Sequence, residues 1–526
     1  MLKDFLLEIR KTLRGDQVLS EQNEIAHQIE NVTSYNVEVP LILYPESAEE
    51  VRQIVLYANK FKVCIQPFST GKSWGFGSKL SSQGGLILVD LHRMDKIIEV
   101  NEEFGFAVIE PGVTQFQLFN YLNETGSNYF SDTTGSAKDT SIVGNALDKG
   151  VGYNMERYKQ LLNLEVVLGD GRIFKTGFGH YANCKATNTF PEGIGPSYLR
   201  TFLQSNFGVV TRATIELRRR PEKKCMFVTI LKDESYLGDA INALKEIKQF
   251  GLINSITHYY ENVRVKNGLA PVMYQDLKGR GVDIDRESLM RFLNRYSFGA
   301  GIIFSNISGT KYQIKAAKKE LKRLSPWGMT FYVTDRLISL GLYASNLIDW
   351  KKMHSFIHCN AGFYRMALGE PSDRPIMSIY WPAQTELPEG WENPDHTDIG
   401  MHFILPTVPM NVEYVQQANS IIRRVNSHYS KAQASYAFGL VDDKTTHFSI
   451  STHFIRTDKL AREESRSLAK ELNEEFIKAG FHPNRLFVDF MDLVVDPDDI
   501  FWQITRDIKK VFDPNGVIAP GHYNLI

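Results

Sequence analysis

The sequence predicts an α+β protein of at least two domains, and three observations carry that reading. The chain has 526 residues, more than a single hydrophobic core organises. Strand and helix signals alternate through its first third. From about residue 223 the character changes: longer helical stretches alternate with strands, as in a separate α+β layer. With 43% hydrophobic and 12% aromatic residues there is ample material for large cores, and disorder is excluded.

The elements follow in order. Residues 45–50 open a helix: Ser47 is placed to cap it, and Glu50 three positions on completes a capping box. Val51, Ile54, Val55 and Ala58 then recur at helical spacing. Val63-Cys64-Ile65 reads as a short buried strand, and residues 85–89 and 106–109 as two more. Residues 166–168, the turn Gly169-Asp170-Gly171 and residues 172–174 make a hairpin, and a strand runs from Asn206 to Leu217. Beyond 223, residues 312–324 are helical, and a helix over 458–479 stops at Gly480, a good residue for a left-handed C-terminus. The last helix ends at Asp513-Pro514-Asn515-Gly516, a strong turn signal.

Sixty basic side chains face 61 acidic ones, a net charge of -1, so no global field draws in nucleic acid or an anionic membrane. Cys64, Cys184, Cys225 and Cys359 are scattered without a CxxC pair, which suggests neither zinc nor a disulfide framework and fits reduced thiols in a cytoplasm. The amphipathic start of the chain lacks the apolar core and cleavage site of a signal peptide, and no stretch is apolar enough to span a bilayer.

Two segments are rich in glycine. The first contains Ser69, Thr70, Gly71, Lys72, Ser73, Trp74, Gly75 and Phe76 and follows a strand. Glycine lets backbone amides approach a phosphate, and hydroxyls add donors. It is neither a Rossmann nor a P-loop fingerprint, and alone it is equally consistent with an ordinary loop. The second runs from Ser141 through Gly144, Asn145, Gly150 and Gly152 to Tyr153, a composition suited to a backbone wall against a flat ligand or to a turn packed between strands.

Together the segments resemble the vanillyl-alcohol oxidase and p-cresol methylhydroxylase family. The phrases that carry the resemblance are Val89-Asp90-Leu91-His92-Arg93-Met94, Val108-Ile109-Glu110-Pro111-Gly112-Val113-Thr114, Glu165-Val166-Val167-Leu168-Gly169-Asp170-Gly171, Asn206-Phe207-Gly208-Val209-Val210-Thr211, and Asp513 to Gly521 at the end. The resemblance implies a two-domain flavoprotein with a discontinuous FAD-binding domain, residues 1–222 plus 480–526, and an inserted α+β cap, residues 223–479. The first glycine segment would hold the pyrophosphate by backbone amides. The second, with Pro111, Gly208 and Val210, would line the flavin, its glycines permitting close approach. The resemblance also implies an oxidoreductase that removes a hydride from a carbon bearing oxygen or nitrogen in a small molecule. Electrons would pass to oxygen or to an electron-acceptor protein, and a homo-oligomer is left open. A catalytically silent flavin-fold partner subunit is the alternative.

Within that family the phrase around His402 looks like the one whose histidine bonds to the flavin, so a covalent link through His402 is expected. His27, the only histidine before position 92, does not match the family's second histidine by spacing. Arg485 matches an active-site arginine, whose fixed charge would stabilise a reduced flavin or a bound anion. Two tyrosines that hold a phenolate in the family are replaced by Phe76 and Asn484. The family's aspartate near the flavin has no clear equivalent, Asp139 and Asp132 being the nearest candidates. His258, Tyr259, Tyr260, Tyr364, Arg365, Tyr380, Trp381 and His447 form a pool of cap residues able to line a pocket.

Overall fold

The computed structural model describes residues 1–295, 298–383, 387 and 392–526. The first 216 residues build two sheets. One has four strands in the order Val18–Leu19, Ile42–Leu43, Ile87–Asp90, Ile65–Phe68, the last three parallel. Helix Ala48–Phe61 connects two of them and buries Val51, Ile54, Val55 and Ala58, the stripe its sequence predicts. Ser47 Oγ accepts the Glu50 amide as expected, but the Glu50 carboxylate accepts from Glu46 N rather than closing the box on Ser47. The second sheet is antiparallel: Ile97–Asn101, Phe106–Ile109, Gly208–Glu216, Leu161–Leu168 and Ile173–Lys175. The predicted hairpin is its edge.

Residues 223–455 form an antiparallel eight-stranded sheet. Its strands run Gly328–Val333, Lys223–Leu231, Gly301–Gly309, Thr257–Glu261, Ala434–Leu440, Thr445–Ile455 and Ile399–Ile404, with Thr407–Pro409 paired to Thr445–Ile455. Helices Leu237–Gln249, Val412–Asn426 and Lys459–Lys478 cover one face, burying Phe227, Tyr259, Ile303, Phe448 and Ile450 beneath them. Because side chains alternate along a strand, the residues between these point to the other face. That second face is turned towards the first domain.

The segment after Gly480 contacts both domains, with Arg485 reaching Asp148 and Ser73 of the first. Gly480, with φ +84°, does end the helix, but Phe481, Leu486, Phe487, Phe490 and Met491 pack into the core of the cap. The return is made by helix Ile500–Phe512, whose Phe512 joins the core of the five-stranded sheet, and by Val517 and Ile518, which join the four-stranded one. Among the described residues no helix is long and apolar enough to cross a membrane.

Candidate active site

A cavity of about 650 Å³ lies between the inner face of the eight-stranded sheet and the two glycine segments. The first segment leaves strand Ile65–Phe68 and turns through Gly71, Gly75 and Gly77, all at positive φ (+66°, +81° and +103°). Among the described residues, no acceptor lies within hydrogen-bonding distance of the backbone amides of Thr70, Gly71, Lys72 and Ser73. Successive amides that bond nothing within the described protein, placed around a left-handed glycine, make an anion-binding concavity.

The second segment begins as a short helix, Ile142–Leu147, rather than a plain turn. Ser141 ties it in place: its Oγ accepts the Gly144 amide and donates to the Pro111 carbonyl, while its own amide donates to Thr70 Oγ1 at 3.0 Å. The glycines also have a role within the protein. A Cβ at Gly144 would meet Ser69 Oγ at 2.1 Å, at Gly150 the Asn145 amide at 2.3 Å, and at Gly152 the Asp132 carboxylate at 2.1 Å. They make room for neighbouring protein atoms.

Nearly every residue assigned a cofactor-binding or catalytic role from the sequence lines this cavity: Ser69 to Trp74, Phe76, Pro111, Ser141, Gly144, Asn145, Gly150, Gly152, Tyr153, Gly208, Val210, Asn484 and Arg485. Two do not. Gly75 packs under the cap strand, where a Cβ would stand 2.8 Å from the Phe403 ring, and its carbonyl accepts the Phe403 amide. His402 corrects a larger expectation. On strand Ile399–Ile404 the residues lining the cavity are Met401 and Phe403, so His402 between them points to the far face. There it is buried, its Nδ1 2.9 Å from Ser465 Oγ and its ring stacked on Phe454. Burial, with Arg466 nearby, pushes its pKa down to about 3, as suits a neutral core histidine.

Arg485 sits with its guanidinium 4.3 Å from the centre of the Phe76 ring, paired with Asp148 and bonded to Ser73 Oγ. The segment that carries it is fixed by the Asn484 amide on the Leu405 carbonyl and the Leu486 amide on the Tyr523 hydroxyl. Asn484 Oδ1 is buried without a hydrogen-bond partner among the described residues. Asp139 takes Lys72 in an ion pair at 2.9 Å. Asp132 is structural: it accepts from Asn154 Nδ2 at 2.6 Å and from the amides of residues 154 and 155.

Of the pool in the cap, His258, Tyr260, Tyr364 and His447 line the cavity, whereas Tyr259 and the pair Tyr380 and Trp381 belong to the cores behind it. Burial lowers the His258 pKa to about 4 and raises those of Tyr153 and Tyr260, so all three are neutral at pH 7. His447 Nε2 meets Glu156 at 2.9 Å across the domain boundary. Burial works against the Glu156 charge, yet the bonds from His447 and Lys159 pull its pKa down to about 2. Among the lining residues that escaped the sequence reading are Lys79, Arg264 and His453. Strand parity marks His453 only once the register is known, and Lys79 and Arg264 carry no motif.

The comparisons with known proteins bear on this geometry. Residues 39–177 match a family model described as an FAD binding domain. The chain is 30% identical to the 1'-carboxy-chondrochloren decarboxylase of Chondromyces crocatus, over 93% of this chain and 91% of that one. The chain belongs to the vanillyl-alcohol oxidase and p-cresol methylhydroxylase family of FAD-dependent oxidoreductases. Within it, the flavoprotein subunit of 4-cresol dehydrogenase (hydroxylating) of Pseudomonas putida is 24% identical over 98% of this chain and 94% of that subunit. The 4-ethylphenol oxidase of Gulosibacter chungangensis shares the fold with a TM-score of 0.86 at 20% identity, over 100% of this chain and 97% of that one. As a member of this flavoprotein family, the chain has in the Thr70–Ser73 amides and the wall from Ser141 to Tyr153 a cradle that fits FAD.

Proposed function

We propose that the protein binds FAD without a covalent bond and removes a hydride from a carbon bearing oxygen or nitrogen in a small organic substrate that is not a para-alkylphenol. The observation that carries the reading is the free amide cluster at Thr70–Ser73, set in one cavity with the Ser141–Tyr153 wall and Arg485. Bound FAD supplies the two-electron acceptor chemistry. The chain's own residues supply the rest. The amides and hydroxyls of the first segment hold phosphate. Arg485, fixed by Asp148 and stacked on Phe76, offers a positive charge where negative charge develops on reduction. Tyr153 and Tyr260, neutral by burial, remain hydroxyl donors. The sheet above excludes water with Met226, Phe304 and Phe403.

Strand parity supports a noncovalent reading by removing His402 as the attachment point. His402 faces Ser465, and the cavity-facing neighbours Met401 and Phe403 carry no nucleophile suited to the flavin. The substrate preference follows from Phe76 and Asn484. Phe76 donates nothing and Asn484 offers an amide of different shape, so the pair of tyrosine donors that would fix a para-substituted phenolate is missing from these two positions. The decarboxylase name of the relative that matches 93% of this chain supports a substrate outside the simple alkylphenols.

Anaerobic mixing tests the reading. The purified protein should show flavin absorption, release all of it to the supernatant on acid precipitation, and resist bleaching by p-cresol or vanillyl alcohol. A colourless protein that takes up no added FAD overturns the cofactor, and colour retained in the pellet overturns the noncovalent link. Rapid bleaching by a para-alkylphenol overturns the substrate reading. Reoxidation in air then separates the two acceptors: fast return of colour marks an oxidase, slow return a dehydrogenase.

A further inference from the structure

Arg264 stands in the first turn of the cap helix Asn262–Gly279 and lines the cavity. Its Nη1 donates to Ser451 Oγ at 2.5 Å and towards Ser435 Oγ at 3.4 Å, two serines paired across neighbouring strands. Protein encloses the guanidinium, yet the residue keeps accessible surface. Among the described residues no carboxylate forms an ion pair with it. The nearest acid, Glu261, acts only through space and spends its Oε1 on the Tyr436 amide.

The other cations of the cavity wall have their counter-charges. Arg485 pairs with Asp148 and Lys72 with Asp139, and Lys149 lies in the field of Asp148. Lys79 packs against Gly71, beside the free amides of the phosphate-binding turn, and is attracted by Asp395 and Asp90. Arg264, on the cap side, forms no ion pair among the described residues, and of the acids only Glu261 acts on it, through space. Beside it on the same wall is His453, buried, with Nε2 lacking a partner among the described residues. An enclosed guanidinium with one edge fixed by hydroxyls presents its remaining N–H groups in the fork that matches a carboxylate. One uncompensated charge fits a monoanion, and the neighbouring Phe304 and Ile302 fit an apolar body.

The geometry points to Arg264 as the anchor for the carboxylate of an organic acid substrate, with His453 as the neutral partner beside it. This deepens the proposed function, since it rests on substrate and flavin sharing this cavity.

The test is calorimetric titration of the protein as purified, with flavin difference spectra recorded in parallel. The probes are acetate, phenylacetate and cinnamate, each against its amide. The wild type should bind at least one acid about tenfold or more tightly than its amide, the range of a charge-assisted hydrogen bond. Arg264→Gln should erase that preference while FAD stays bound, and Arg264→Lys should keep part of it. If Arg264→Gln does not fold, Ser451→Ala, which frees the held edge, should weaken acid binding several-fold. The inference is overturned by equal binding of acid and amide, by no binding of any acid, or by a preference that survives Arg264→Gln. It is also overturned by loss of the preference in Arg485→Gln alone. A protein that holds no FAD yet prefers acids through Arg264 would overturn the proposed function and leave the anion site standing.

Discussion

At the scale of single residues, position relative to the cavity decides role more than residue type does. Arg485 is the clearest case: its charge is immobilised by Asp148, Ser73 and the Phe76 face before any substrate arrives. A contact that strengthens as charge develops lowers the barrier by about 2–4 kcal/mol. Arg485→Ala is therefore expected to slow single-turnover flavin reduction by about 30- to 1,000-fold, with a small change in melting temperature; stopped-flow absorbance checks it. The buried histidines make a second prediction. His258, His402 and His453 are held neutral by burial, with pKa values pushed from 6.5 down to about 4, 3 and 3. In the unfolded chain they take up protons near pH 6.5, and in the folded one only near 3–4. Between these limits the unfolded state binds more protons, so stability rises with pH there and is lost as pH falls from 6.5 towards 4. Denaturant midpoints at stepped pH should show this slope, and replacing His402 by Phe should flatten part of it.

At the scale of elements, the two glycine segments work as one because of a few bonds between them. Thr70 Oγ1 accepts the amide of Ser141, which caps helix Ile142–Leu147 with its own hydroxyl. Thr70→Val keeps the shape and removes the acceptor, leaving a part-buried amide unsatisfied at a cost of about 1–3 kcal/mol. FAD affinity is expected to fall about tenfold or more, measured by fluorescence titration of stripped protein, while the cap's melting transition stays in place. Strand parity is the other lesson at this scale. In strand Ile399–Ile404 a step of one residue separates Met401 on the cavity face from His402 in the core behind it. A motif phrase fixes the strand, but it leaves the inward-facing position to the register, which Ile404↔Ile450 and Met401↔His453 set here.

At the scale of the whole molecule, the last residues close the first domain. Lys509 and Asp513 form a fully buried ion pair at 2.6 Å; Lys509 also donates to the carbonyls of Asn206 and Ile518, and Asp513 accepts the amides of Val517 and Ile518. Asp513→Asn would leave a buried ammonium without its counter-charge, a loss of about 3–5 kcal/mol. A lower melting temperature and lower FAD occupancy are expected, and an unchanged melting curve would refute the closing role. The sequence read 513–516 as a turn, which it is, but the need for an aspartate there arises from Lys509, Gly169 and the tail meeting in space. By itself the sequence determined the α+β class, the family, the order of the main elements and many of the residues that line the cavity, because these rest on local signals: hydrophobic period, caps, and glycines at fixed turns. Tertiary structure alone decided which face His402 occupies, that the glycines of the second segment make room for Ser69, Asn145 and Asp132, that Phe481, Leu486, Phe487, Phe490 and Met491 pack into the cap core, and that Arg264 reaches the cavity with no ion-pair partner among the described residues. Each of these depends on register or on contacts between residues far apart in the chain, and no single stretch of sequence carries that information.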